Sequence, residues 1–105
     1  MMTPARIAVI ALALWAPCAS AQSTDTAARS IAASCAACHG TNGVSLSPVP
    51  SIAGAQRADI VAKMRAFKSG TREGTVMPQL AKGYTDEQID LVAAWFAMQP
   101  VPAAR

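Results

Sequence analysis

Histidine occurs only once in this chain of 105 residues and cysteine only three times, so side chains that bind transition metals are scarce. Charged residues make up 14% of the chain, and nine basic residues stand against six acidic ones. That balance argues against nucleic-acid binding, which needs a concentrated basic face. No apolar run reaches the ~20 residues of a membrane-spanning helix, so we expect no stable membrane insertion.

The first 21 residues have the pattern of a secretory signal peptide. Arg6 precedes an apolar run over residues 7–15, and small residues follow up to Ala21. The run is too short for an uncleaved membrane anchor. We therefore expect cleavage after Ala21, loss of Cys18 with the leader, and one domain over residues 22–105. Export of this kind predicts a location in a bacterial periplasm.

The beginning of that domain has helical apolar spacing that leads directly into a cysteine pair. Polar residues at 23–25 are candidate N-caps. The apolar face that follows consists of Ala28, Ile31, Ala32 and Cys35. Cys38 and His39 continue the same face, and Gly40 is expected to end the helix.

Two further helices are predicted, with no sign of a β-hairpin between them. Residues 57–69 have helical spacing and stop at a glycine. Thr85 and Gln88 have the spacing of a capping box and begin the third helix. Pro78 is expected to keep its segment out of any regular helix. The sequence therefore predicts an all-α domain of three main helices and long loops.

Cys35, Cys38 and His39 form a Cys-x-x-Cys-His motif, which several chemistries could use. A structural zinc site needs four ligands, and no second Cys/His pair exists. A thioredoxin-type dithiol lies at the start of a helix after a strand, whereas this pair ends a helix, where the dipole disfavours a thiolate. A plain disulfide uses only the two cysteines. Covalent haem attachment uses all three residues and is favoured.

Haem attachment gives each residue of the motif its own role. Cys35 and Cys38 would each form a thioether with one haem vinyl group, and His39 would bind the iron from the same side. An exported protein also reaches the compartment where c-type haem is assembled. We therefore predict one covalent haem c as the cofactor.

The iron then needs a sixth ligand, and the candidates are Met64, Met77 and Met98. Met64 lies on the apolar face of the second helix and Met98 at the end of the third. Met77 lies in an irregular segment that can cross the open haem face, so we predict it to be the distal ligand. Its alternative role is to fill a gap in the core.

Ligation by His39 and Met77 would leave no iron position for a substrate, which indicates electron transfer rather than catalysis. The alternative is a haem enzyme such as a small peroxidase, which needs an open distal position and an acid–base residue. No histidine remains for that role, and Arg72 and Glu73 are typical of solvated loop charges.

Two expectations concern the surroundings of the haem. The other ring nitrogen of His39 should donate to a backbone carbonyl in the stretch SPVP, and we predict that of Pro48. Four cations either steer an acidic partner to a haem edge or simply provide surface charge: Lys63, Lys68, Arg72 and Lys82.

Taken together, CAACHG, SPVPSIAG, VMPQL and YTDEQIDLVAAWFA resemble the class I c-type cytochromes over essentially the whole domain. The resemblance implies a small all-α fold whose first and last helices cross beside the haem. The crossing would bring Ala28, Ile31 and Ala32 against three residues of the last helix, Leu91, Val92 and Trp95. It also implies thioethers at Cys35 and Cys38, with His39 as proximal and Met77 as distal ligand.

Within that family the chain is most similar to the cytochrome c4/c553 branch, although Pro78 stands where glycine often follows the methionine. The branch includes the cytochrome subunits of flavocytochrome c sulfide dehydrogenases, in which a flavoprotein oxidises sulfide and passes electrons to the haem. The resemblance thus implies redox partner proteins, among them a flavoprotein subunit. A freestanding, diffusible electron carrier is the alternative.

Overall fold

The computed structural model describes residues 23–103, and the predicted signal peptide lies outside them. These residues form α1 (Thr24–His39), a 3-10 turn (Thr41–Gly43), α2 (Arg57–Ser69), α3 (Met77–Ala81) and α4 (Asp86–Ala97). No strand occurs in this part of the chain, and the all-α prediction is confirmed. No helix in residues 23–103 combines the length and apolarity required to cross a membrane.

The three predicted helices occur, and local capping explains their ends. Ser23 is the N-cap of α1, and its hydroxyl accepts a bond from the backbone N–H of Thr26. The capping box of α4 is confirmed in both directions: Gln88 N–H donates to Thr85 Oγ1 at 3.1 Å, and Thr85 N–H donates to Gln88 Oε1 at 2.9 Å.

The prediction that Pro78 would exclude a helix was wrong. Met77 begins the five-residue helix α3, and Pro78 occupies its first turn. Proline is tolerated there because the first N–H groups of a helix have no intrahelical partner. The proline therefore helps to start the helix that the sequence pattern assigned to a loop.

Small residues let α1 and α4 approach closely at the centre of the domain. The core cluster combines Ala32 of α1 with Val92, Ala93 and Phe96 of α4, and α2 adds Ile60. Phe96 and Ile89 are the largest fully buried side chains in the described part of the chain. The expected crossing of the first and last helices is therefore present, but Ala93 and Phe96 provide its centre rather than Leu91.

The capping box gives a direct test of α4. Thr85→Ala removes the acceptor for the Gln88 N–H and should lower the free energy of unfolding by about 1 kcal/mol. Thr85→Ser keeps a hydroxyl and should lose less than half of that. Guanidinium unfolding followed by circular dichroism measures both values, and equal losses in the two variants would contradict the role of the hydroxyl.

Candidate functional site

The Cys-x-x-Cys-His motif occupies the last turns of α1. One helical turn brings Cys35, Cys38 and His39 together, because residues three and four apart are neighbours on a helix. Cys35 and His39 are half-buried, whereas Cys38 is exposed. The three side chains thus all start from the last two turns of one helix.

A backbone carbonyl orients His39, but it is that of Pro50 rather than the predicted Pro48. His39 Nδ1 lies 2.7 Å from Pro50 O. A carbonyl oxygen only accepts, so Nδ1 carries the proton and donates it. In the neutral ring, Nε2 therefore keeps its lone pair and is the nitrogen able to bind a metal.

The loop that carries Pro50 is fastened to the α1–α4 core. The carbonyl of Gly43 accepts bonds from the N–H groups of Ile52 (2.8 Å) and Ala53 (3.1 Å). Gly54 N–H donates to Phe96 O at 2.8 Å. These bonds hold both sides of the loop, so the position of the Pro50 carbonyl is fixed by contacts with the core.

The Cys35 thiol is poorly suited to dithiol chemistry. Burial raises the pKa of the Cys35 thiol, although the Ser34 hydroxyl and the backbone partly oppose the shift. Cys35 Sγ also points to the carbonyl of Ile31 in its own helix, at 3.7 Å. A thiol with a raised pKa is a poor nucleophile near neutral pH, in contrast to the activated cysteine of an oxidoreductase.

A structural zinc site is not supported by the arrangement of ligands. Within residues 23–103, no three side chains from His, Cys, Asp and Glu come close enough to hold a metal ion. The motif therefore supplies one nitrogen ligand and two thiols that can be alkylated. That donor set fits an iron porphyrin, which brings its own four nitrogens and leaves only the axial positions to the protein.

Met77 and the motif belong to different helices that pack against different neighbours. It is half-buried at the first position of α3, and α3 packs against α2, whereas α1 packs against α4. Gly74, three residues before α3, lies in a narrow space, because a Cβ added there would lie 3.0 Å from the Phe67 ring and 3.1 Å from Pro78. Met77 is thus placed on the α2 side, apart from the helix that carries His39.

Several large apolar side chains next to the core are only partly covered. Ile52, Val61 and Met64 pack against the core cluster but keep exposed surface. An open cavity of about 490 Å³ adjoins Cys38, and Leu46 on its rim is fully exposed. Apolar surface left open in this way is typical of a site that an apolar group completes. The residues present therefore fit a covalently attached haem.

The four cations do not form one uniform basic face. Lys68 Nζ donates to the carbonyl of Tyr84 at 2.7 Å and lies 3.4 Å from Asp86 Oδ1. The Arg72 guanidinium carbon lies 5.1 Å from the centre of the Phe67 ring. Lys63 and Lys82 are exposed. Lys68 thus has an internal role that the sequence pattern did not indicate.

One contact beside the motif was not predicted at all. Ser34, next to Cys35, lies 2.9 Å from the Tyr84 hydroxyl through its Oγ. The two residues are fifty positions apart, so neither helical spacing nor a capping pattern connects them. Only the residue type pointed to such a contact, because the hydroxyl of a half-buried tyrosine usually has a hydrogen-bond partner.

Known proteins match this chain over most of its described part. The family described as cytochrome c oxidase, cbb3-type, subunit III matches residues 22–96. The cytochrome subunit of sulfide dehydrogenase from Chlorobaculum tepidum is 45% identical over 73 residues, which cover 70% of this chain and 66% of that protein. The chain thus spans about two thirds of the length of that relative.

Two further relatives differ in how much of them the chain covers. Cytochrome c-554(548) of Halomonas halodenitrificans is 35% identical over 62% of this chain and 83% of its own length. A thiosulfate dehydrogenase electron acceptor of Stutzerimonas stutzeri is 31% identical over 93% of this chain but only 47% of its own length.

The anchoring of the loop can be tested with two glycines of similar φ. Gly43 has φ +79°, and an added Cβ would lie 2.8 Å from the Phe96 ring and 2.9 Å from Ala53 N. Gly70 has φ +82° and no atom within 4 Å of the added Cβ. Gly70→Ala should lower the free energy of unfolding by about 1–2 kcal/mol through backbone strain alone.

Gly43→Ala should cost a further ~1–3 kcal/mol because neighbouring atoms must move. Chemical unfolding of the two variants under identical conditions gives the difference. Similar losses in both would show that the contacts of Gly43 with the core are not needed.

Proposed function

Because the chain belongs to the cytochrome c family of electron-transfer proteins and carries covalently bound haem c, we propose that it is a periplasmic monohaem electron carrier. We propose further that it is the haem subunit that accepts electrons from a sulfide-oxidising flavoprotein. The observation that carries the electron-transfer role is the oriented imidazole of His39, with Nε2 available as an axial ligand.

Cys35 and Cys38 are the proposed attachment residues. Each S–H would add across the double bond of one haem vinyl group, with the sulfur bonding to one vinyl carbon and the hydrogen going to the other. The addition involves no net oxidation, so no oxidant is needed for it. The half-buried Cys35 and the exposed Cys38, one helical turn apart, would fix the group beside the end of α1.

His39 and Met77 are the proposed axial ligands. The Pro50 carbonyl keeps the His39 ring in the tautomer that exposes Nε2 and prevents the ring from turning. When bound, the haem supplies a one-electron iron couple, and a thioether ligand raises its potential relative to a second imidazole. Met77 would thus both fill the last axial position and favour the reduced state.

The surroundings of Met77 do not favour a peroxidase-like enzyme. Such an enzyme needs an acid–base side chain held at the distal side. Arg72 and Glu73 are exposed, and the Arg72 guanidinium is stacked on Phe67 instead. Electron transfer requires none of these groups.

The proposed partner rests on the 45% identity with the cytochrome subunit of sulfide dehydrogenase. Oxidation of sulfide to elemental sulfur releases two electrons, and a flavin can deliver them singly to a one-electron acceptor. The similarity to cytochrome c-554(548), of which the chain covers 83%, favours a freestanding carrier as the second candidate. The two candidates differ in whether the chain is permanently bound to a flavoprotein.

The distal ligand is tested by comparing three methionine variants. Met77→Ala should abolish the near-infrared methionine-to-iron charge-transfer band of the ferric protein, lower the reduction potential and allow rapid cyanide binding. Met98→Ala, at a residue that is 71% exposed, should retain the band. Met64→Ala should retain it as well, with some loss of stability. Survival of the band in Met77→Ala would rule out Met77 as the ligand.

The partner is tested by isolating the native protein from a periplasmic extract. The sulfide dehydrogenase proposal predicts co-elution with a flavoprotein on size exclusion, and reduction of the haem when sulfide is added. A freestanding carrier would elute alone at the size of the single chain. Reduction by thiosulfate but not by sulfide would instead favour the role named for the Stutzerimonas stutzeri relative.

A further inference from the structure

Tyr84 connects four elements through its hydroxyl and its backbone. Its hydroxyl oxygen lies 2.9 Å from Ser34 Oγ in α1. Its carbonyl accepts from Lys68 Nζ in α2 at 2.7 Å. Its N–H donates to the carbonyl of Ala81 at the end of α3, at 3.2 Å, and the N-cap of α4 follows as the next residue. No other side chain among the described residues hydrogen-bonds α1 to the segment that follows α3.

The direction of the Tyr84–Ser34 hydrogen bond follows from proton counting. Ser34 Oγ lies 2.7 Å from the carbonyl of Ile31 and has one proton, which it donates there. Its oxygen can therefore only accept from Tyr84, whose hydroxyl is the donor. Ser34, the residue before Cys35, thus accepts a hydrogen bond from Tyr84 and donates one to the backbone of α1 at Ile31.

Lys68 fixes the same residue from the other side. Its ammonium is shared between the carbonyl of Tyr84 and Asp86 Oδ1, and its side chain is 34% exposed. A charged donor makes the stronger kind of hydrogen bond. The backbone of Tyr84 is therefore held to α2 while its hydroxyl reaches α1.

The helix that carries Met77 depends on such external contacts. Five residues are too few for a stable isolated helix. Residues 71–76, which lead into α3, are all exposed, so the better-held end of α3 is the one at Ala81 and Tyr84. Ala81 is fully buried, and the segment from Met77 to Tyr84 is anchored there.

From this arrangement we propose that Tyr84 is a positioning residue for Met77. Its hydroxyl ties the methionine-bearing segment to α1, the helix of the Cys-x-x-Cys-His motif. The bond exists while the segment is seated and is lost when the methionine moves away, so it stabilises the methionine-bound state. The proposal rests on Met77 being the distal ligand.

The test is the displacement of the methionine by imidazole in the ferric holoprotein. Added imidazole removes the charge-transfer band, and the concentration needed for half-removal measures how firmly the methionine is held. Tyr84→Phe keeps the ring but loses the donor, so half-removal should occur at an imidazole concentration about two- to fivefold lower. We expect no more than a fivefold change because the hydrogen bond is exposed to solvent, which weakens its net contribution.

Variants of Ser34 test the same bond from the other partner. Ser34→Ala should lower the imidazole concentration for half-removal by the same two- to fivefold. Ser34→Thr should keep the wild-type concentration because it keeps the hydroxyl. Combining Ser34→Ala with Tyr84→Phe should give no further shift, since both changes remove one bond. Ser30→Ala is the matched control, because Ser30 Oγ also donates to a carbonyl of α1 but does not contact Tyr84.

Three outcomes separate the proposals. Loss of the band in Met77→Ala together with an unchanged imidazole midpoint in Tyr84→Phe would refute the positioning role alone. Persistence of the band in Met77→Ala would refute the ligand assignment itself. A Tyr84→Phe variant that unfolds more easily but keeps the wild-type imidazole midpoint would show that Tyr84 has only a structural role. If Tyr84→Phe does not fold, the imidazole midpoint of Ser34→Ala distinguishes the same two cases.

Discussion

The fully buried ring of Phe96 is the contact on which the histidine side of the site depends. It lies at the crossing of α1 and α4, where Ala32 and Ala93 allow close approach of the helices. Its ring fills the space beside Gly43, and its carbonyl accepts the N–H of Gly54. These two contacts fix both sides of the loop that carries Pro50, and the Pro50 carbonyl in turn sets the tautomer of His39. Core packing thus determines which nitrogen can bind the iron.

The methionine side of the site lacks an equivalent core residue. α3 has five residues, and its support comes from the α2 surface, the buried Ala81 and the hydrogen bonds of Tyr84. Hydrogen bonds at a partly exposed position contribute less than the burial of an aromatic ring. The two proposed axial ligands would therefore be held with different firmness, and the proposed methionine ligand would be the more easily exchanged.

Local signals in the sequence predicted what local interactions determine. The apolar face of α1, the capping box of α4 and the Cys-x-x-Cys-His motif depend on neighbours within one or two turns, and the helices were predicted correctly from them. Pro78 was misjudged because proline has opposite effects inside a helix and in its first turn. The carbonyl of Pro50, the bond between Ser34 and Tyr84 and the role of Lys68 depend on tertiary packing, so no pattern in the sequence identified them. The placement of Met77 as a ligand remains a prediction.

The looser methionine side matters most in the oxidised protein. A thioether raises the reduction potential because it binds ferrous iron better than ferric iron, so the bond to the proposed ligand Met77 would be weakest in the ferric state. Electron transfer is fast only where the ligands stay in place during the change of charge. The protein must therefore supply the missing stabilisation in the ferric state, through the seating of α3 on α2 and the bond from Tyr84 to α1. On this view the unpredicted contacts of Tyr84 and Lys68 serve the proposed function as much as the motif does, because they would keep the proposed methionine ligand in place in both oxidation states.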